Sequence, residues 1–87
     1  MSEQIMRVKV MHPTEHNIID VDIPDDMTLS KVISELKEAI FIDTGWAYKA
    51  VLADGEEERE LDLKKTLAEN GVVENEMIRL ETDIRLS

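Results

Sequence analysis

The period of the apolar residues changes once, sharply, at a proline, and that change restricts the fold more than any other feature. Before Pro24 the chain reads I-I-D-V-D-I, with Ile19, Val21 and Ile23 on one side and Asp20 and Asp22 on the other. That is the two-residue repeat of a half-buried strand. After it, Leu29, Val32, Ile33, Leu36 and Ile40 fall at helical spacing, forming one apolar stripe. Thr28 is the expected N-cap, Met27 and Val32 stand where a hydrophobic staple needs them, and Asp25 and Asp26 precede the positive end of the helix dipole. A strand delivering the chain into an amphipathic helix needs a sheet for the stripe to cover.

The remaining elements supply that sheet. From Ile5 to Met11, Met6, Val8 and Val10 alternate with Arg7 and Lys9, and H-P-T-E-H-N (His12 to Asn17) carries turn residues, with Asn17 suited to unusual dihedrals. The two flanking strands form a hairpin in which Arg7 and Lys9 lie beside Asp20 and Asp22. Ile40, Phe41 and Ile42 are consecutive, so at least one must leave the helix's buried face. A third strand is expected from about Trp46 to Ala53, with Tyr48, Ala50 and Leu52 inward and Lys49 and Val51 outward. Gly55 turns the chain, a short fourth strand covers about Glu58 to Leu61, and L-K-K-T-L-A-E-N-G-V (Leu63 to Val72) is a helical turn capped at Asn70-Gly71. The last strand lies in N-E-M-I-R-L-E, with Ile78 and Leu80 inward and Arg79 outward.

Eighty-seven residues make one domain (1–87), with a core at about 5–81 and a short tail at 82–87. The absence of cysteine excludes disulfides, thiolate metal sites and cysteine nucleophiles. A formal net charge of -10 repels phosphate backbones and anionic membranes, so a nucleic-acid partner is not expected. Neither a signal peptide nor an apolar run of roughly 20 residues is present, so the expectation is a cytoplasmic protein without membrane insertion.

Chemistry is sparse. His12 and His16 flank Glu15, but Pro13 and the turn setting keep them off a helix, and two imidazoles are too few for a closed zinc site. Asp54 to Asp62 holds six acids, yet lacks the alternating ligand pattern of a calcium loop and reads as a solvated sheet edge. Ser30, Ser34 and Ser87 have no base arranged beside them. Neither a catalytic residue nor a cofactor, metal or enzyme activity is expected.

The order strand, strand, helix, strand, short strand, turn, strand resembles the ubiquitin-like β-grasp. I-P-D-D-M-T-L-S-K-V-I-S-E-L and T-L-A-E-N-G-V-V-E-N-E-M-I-R-L carry the likeness, which spans about Met6 to Glu81. The resemblance implies an α+β fold, a mixed sheet of four to five strands with one helix across it and the first and last strands parallel at its centre. Conjugated members and sulfur carriers of that fold end in Gly-Gly, whereas this chain ends T-D-I-R-L-S and has no glycine after Gly71. Length, spacing and ending are most similar to small bacterial YukD-type proteins of type VII (WXG100) secretion. That likeness implies an accessory or regulator with noncovalent protein partners, and the alternative is a modifier or sulfur carrier acting through its C-terminus. The fold's usual binding surface is the exposed sheet face, which makes Lys49, Val51, Met77 and Arg79 the candidate protein-binding residues, with Ile40-Phe41-Ile42 as a second contact segment.

Overall fold

A computed structural model describes residues 4–54 and 57–86, the side chain of Asp54 excepted. The turn expected at Gly55 and the terminal Ser87 lie outside the described residues. The elements are β1 (Ile5–Met11), β2 (Ile18–Pro24), α1 (Leu29–Glu38), β3 (Trp46–Asp54), β4 (Glu57–Glu60) and β5 (Met77–Arg85). They form a five-stranded mixed sheet in the order β2-β1-β5-β3-β4, with β1 and β5 parallel at its centre and the other pairs antiparallel. The expected α+β β-grasp is the observed fold.

The alternation in β1 and β2 sets their pairing. Val8 meets Val21 and Val10 meets Ile19 on the helix side, while Arg7 meets Asp22 and Lys9 meets Asp20 on the other. The turn between them is closed by the His12 N–H donating to the Asn17 carbonyl at 2.9 Å. The left-handed residue there is His16 (φ 63°), not Asn17. His12 Nδ1 accepts the N–H groups of Thr14 (3.1 Å) and Glu15 (3.0 Å), so this imidazole builds the turn.

Helix α1 begins as expected. Thr28 Oγ1 accepts the Lys31 N–H at 3.3 Å, and the first two helical N–H groups, of Leu29 and Ser30, donate to the Lys65 and Leu63 carbonyls. Orphan donors of the first turn are thereby satisfied by the loop before β5. Leu29, Val32, Ile33 and Leu36 are buried against Val8, Val10, Ala50, Leu52, Ile78 and Leu80 of the sheet. The stripe stops one residue short of its expected length. Ile40 is 89% exposed at φ 60°, because the helix ends at Glu38 and Ala39 caps it. Phe41 then donates to the Leu36 carbonyl at 3.0 Å and Ile40 to that of Lys37 at 3.1 Å, the paired bonds of a Schellman ending. Of the three consecutive apolar residues, Ile40 is the one expelled; Ile42 is buried and Phe41 packs against the core edge.

The helical turn expected over Leu63 to Val72 is reduced to one hydrogen-bonded turn at residues 66–71. Thr66 and Glu69 exchange a reciprocal pair of bonds (3.0 and 3.1 Å), a capping box on one turn. The Asn70 N–H donates to the Thr66 carbonyl, and Gly71 follows at φ 75°. Asn70 is buried, and its amide binds the Asp62 backbone at both ends: Oδ1 accepts the Asp62 N–H and Nδ2 donates to its carbonyl. This amide staples the β4–β5 connection to itself, a role more specific than that of a cap.

Two strand limits differ from expectation. Strand β4 starts at Glu57 and ends at Glu60, with all four side chains exposed. Such a charged edge discourages pairing with other chains. Strand β5 does not stop at Glu81: Thr82 pairs with Tyr48 and Arg85 with Trp46, and the Leu86 N–H donates to the Gly45 carbonyl at 2.8 Å. Residues 82–85, expected as a tail, therefore belong to the sheet, because β3 is long enough at its Trp46 end to pair with them. No helix among the described residues is long and apolar enough to cross a membrane.

Candidate protein-binding face

Because side chains alternate along a strand, the residues of β1, β5 and β3 that do not face α1 line the opposite surface of the sheet. The registers arrange them in rows. One row runs Ile18, Met11, Arg79, Val51 and Glu60 across β2, β1, β5, β3 and β4; the next runs Asp20, Lys9, Met77, Ala53 and Glu58. Lys49 faces Glu81 in a third row. All four sequence-predicted residues, Lys49, Val51, Met77 and Arg79, thus share one face on two adjacent strands.

Their exposure is not what the sequence led one to expect. Val51 points outward, as its parity requires, yet it is only 8% exposed, so it is not an open surface valine. The cause is an ion pair that passes over it. Arg79 of β5 binds the Glu58 carboxylate of β4 through both terminal nitrogens, one contact measuring 2.8 Å, and β3 lies between those two strands. The stem of Arg79 must cross β3 between Val51 and Ala53, and such stems bury apolar surface while their heads stay wet. Arg79 also donates to Glu81 at 2.7 Å. Its guanidinium is held far more firmly protonated than usual, first by hydrogen bonding to Glu58 and then to Glu81. Reciprocally, the same bond draws the Glu58 carboxyl below its ordinary range.

The other half of the face is built from simpler pairs. Arg7 Nε donates to Asp22 at 2.9 Å and Lys9 to Asp20 at 3.2 Å, all four side chains about half exposed. Hydrogen bonding to Arg7 lowers the Asp22 carboxyl, and that to Asp22 raises Arg7. Exposed pairs of this kind add little stability. Met11, Ile18 and Met77 are the apolar seam of this face, Met11 standing between Ile18 and Arg79 in its row and Met77 between Lys9 and Ala53 in the next. Met11 and Ile18 were missed from sequence although the signal was present: each continues the outward parity of its own strand. Among the described residues, no group of three or more His, Asp or Glu side chains is arranged to hold a metal ion.

Against known proteins, the β-grasp and its outer face acquire a family. Residues 5–80 match the sequence profile of the family described as "WXG100 protein secretion system (Wss), protein YukD". The chain belongs to the YukD family. The match spans β1 to the inward-facing Leu80, and so includes every core strand and the helix. No curated protein sequence matches the chain. Solved structures similar to this YukD-family domain include the C-terminal ubiquitin-like domain of mouse tubulin-specific chaperone e. It shares 19% identity at a TM-score of 0.78, with 100% of this chain and 95% of that one covered. The ubiquitin-like domain of tubulin-binding cofactor B follows at 18% identity and TM-score 0.74, covering 93% and 92%. The ubiquitin-like domain of yeast Ddi1 is similar at 17% identity and TM-score 0.64, covering 100% and 99%. At these identities the likeness is one of fold.

Proposed function

We propose that this YukD-family domain is a noncatalytic protein-binding module that serves WXG100 (type VII) secretion as a cytoplasmic accessory, binding its partners without covalent attachment. The family match over residues 5–80 carries the reading. The outer sheet face supplies the surface, with Met11, Ile18 and Met77 as the apolar seam and Lys49 and Arg79 beside it.

The second reading, a modifier or sulfur carrier, needs a free extended segment for an enzyme to grip. Residues 82–85 are instead paired to β3, and Leu86 is tied to Gly45, so these residues are part of the sheet and are not such a segment. The test is a pull-down with N-terminally tagged protein from a cytosol that contains the secretion system, divided into native and boiled halves. Components of that system are expected in the native half only and are to be lost with a Lys49→Glu, Met77→Asp bait that melts like wild type. Heavier tagged species surviving boiling would sink the noncovalent reading. Recovery undiminished with the variant bait would sink the choice of face.

A further inference from the structure

The chain's three aromatic residues, Phe41, Trp46 and Tyr48, gather at one place away from the outer face. The β1–β2 turn, the segment after α1 and the first residues of β3 enclose a cleft of about 370 Å³, and all three rings line it. His12 stands edge-on to Phe41, with ring centres 5.3 Å apart. That volume lies within the range of small binding sites.

The polar lining has one sign. Glu15 and Asp43 supply carboxylates, and neither a lysine nor an arginine is among the lining residues. His12 turns its Nδ1 to the turn, where it accepts the backbone N–H groups of Thr14 and Glu15. The rings already serve as cation platforms from outside the cleft: Lys37 lies 5.7 Å from the Tyr48 ring centre and Arg85 5.6 Å from that of Trp46. The cleft side of these rings is lined by neither cation.

On the rim stands Ile40, 89% exposed and in the left-handed region at φ 60°. A β-branched residue is costly there, and an exposed apolar side chain recovers none of that cost by packing. Strained residues of this kind cluster at binding and switch sites.

We propose that this cleft receives an arginine side chain from a basic segment of a partner protein. The aliphatic stem lies against Ile40 and Pro13, and the guanidinium meets the carboxylates of Glu15 and Asp43 beside the aromatic rings. Arginine fits better than lysine because its planar group stacks on rings and pairs with carboxylates at once. The domain's net charge of -10 steers basic segments toward it.

Trp46 is the only tryptophan, so its fluorescence reports the cleft, and the amide NMR shifts of residues 40–46 give an independent reading in the same titration. The probes are acetyl-Gly-Arg-Gly-amide and its citrulline counterpart, which has nearly the same shape without the charge, each at matched ionic strength. A saturable response to the arginine peptide, weaker by about fivefold or more for citrulline, is expected. Glu15→Gln with Asp43→Asn should abolish that preference while melting like wild type, since the asparagine Oδ1 can still accept the Gly45 N–H that Asp43 holds at 2.7 Å. Ile40→Gly should weaken the arginine peptide while raising the melting temperature, two changes that a purely structural residue would not combine. Equal response to both peptides, or no saturable response by either reading, overturns the proposal. Unchanged affinity in Ile40→Gly removes Ile40 from it.

Discussion

Helix α1 and the turn at residues 66–71 end in the same hydrogen-bonded geometry but on different residues. At α1 the Phe41 N–H returns to the Leu36 carbonyl, and at the turn the Val72 N–H returns to the Leu67 carbonyl, each at 3.0 Å. The residue that must enter the left-handed region is Gly71 in one case and Ile40 in the other, at φ 75° and 60°. Glycine pays almost nothing for that conformation, whereas a residue with a Cβ pays roughly 1–2 kcal/mol. One ending is therefore optimised for folding. The other gives up stability and places an isoleucine in water at the rim of an aromatic cleft.

The largest effects test what the endings share. Leu36 and Leu67 each supply the accepting carbonyl and bury a side chain in the same core. Leu36→Ala and Leu67→Ala should each cost roughly 2–5 kcal/mol, with Leu67 at the upper end because it is wholly inaccessible. Urea midpoints measure both. An unchanged midpoint for either would break the equivalence by removing that leucine from the core.

The next pair tests what the endings do not share. A Cβ on Gly71 would find the Arg59 guanidinium at 3.6 Å, ordinary contact, so Gly71→Ala meets no steric obstacle. Its cost is conformational, about 1–2 kcal/mol. Ile40→Gly runs the other way and should stabilise by about 0.5–1 kcal/mol, the relief of strain less the greater freedom of glycine in the unfolded chain. Both are read from urea midpoints at constant slope. Two substitutions of opposite sign at equivalent positions make the sharpest form of the comparison, and a loss of stability in Ile40→Gly would end it.

Much of this was legible in the sequence, for a reason that also explains what was not. Alternation reports which face a side chain takes, and it placed Arg7 and Lys9 on one face with Asp20 and Asp22, and Tyr48, Ala50 and Leu52 inward, while the pairing of Arg7 with Asp22 and Lys9 with Asp20 came from the register. It is silent on what lies above a side chain. Val51 has the outward parity expected of it, but an arginine from one neighbouring strand reaching a glutamate on the other covers it, and that contact depends on strand order. Likewise, helical spacing carried the stripe to Ile40, since nothing local announces a left-handed isoleucine where glycine is usual. The strand continued past Glu81 because β3 offered a partner, information that resides in a different part of the chain. The aromatic cleft unites residues 12–15, 40–43, 46, 48 and 82, and only the fold brings them together.

The smallest expected effect separates the two endings from the charged outer face. Both left-handed endings are held by backbone bonds, so the gain in Ile40→Gly should not vary between pH 7 and pH 3. The outer face should vary. Glu58 and Asp22 are drawn below their ordinary values of 4.5 and 3.8 by hydrogen bonds to Arg79 and Arg7. A carboxyl whose folded value is lowered contributes its stability in full above the ordinary value and loses it as pH falls through the folded value. Loss of net negative charge acts in the opposite direction over the same range, so the useful quantity is a difference between proteins. Wild type should exceed Arg79→Met in stability at pH 7 and pH 5, and the difference should narrow below pH 4.5 as Glu58 takes up its proton. Both pairs are exposed, so the change is to be small and reduced by salt. A difference that stays constant down to pH 3 would mean that Arg79 acts through the cover its stem gives Val51, and that its charge contributes nothing.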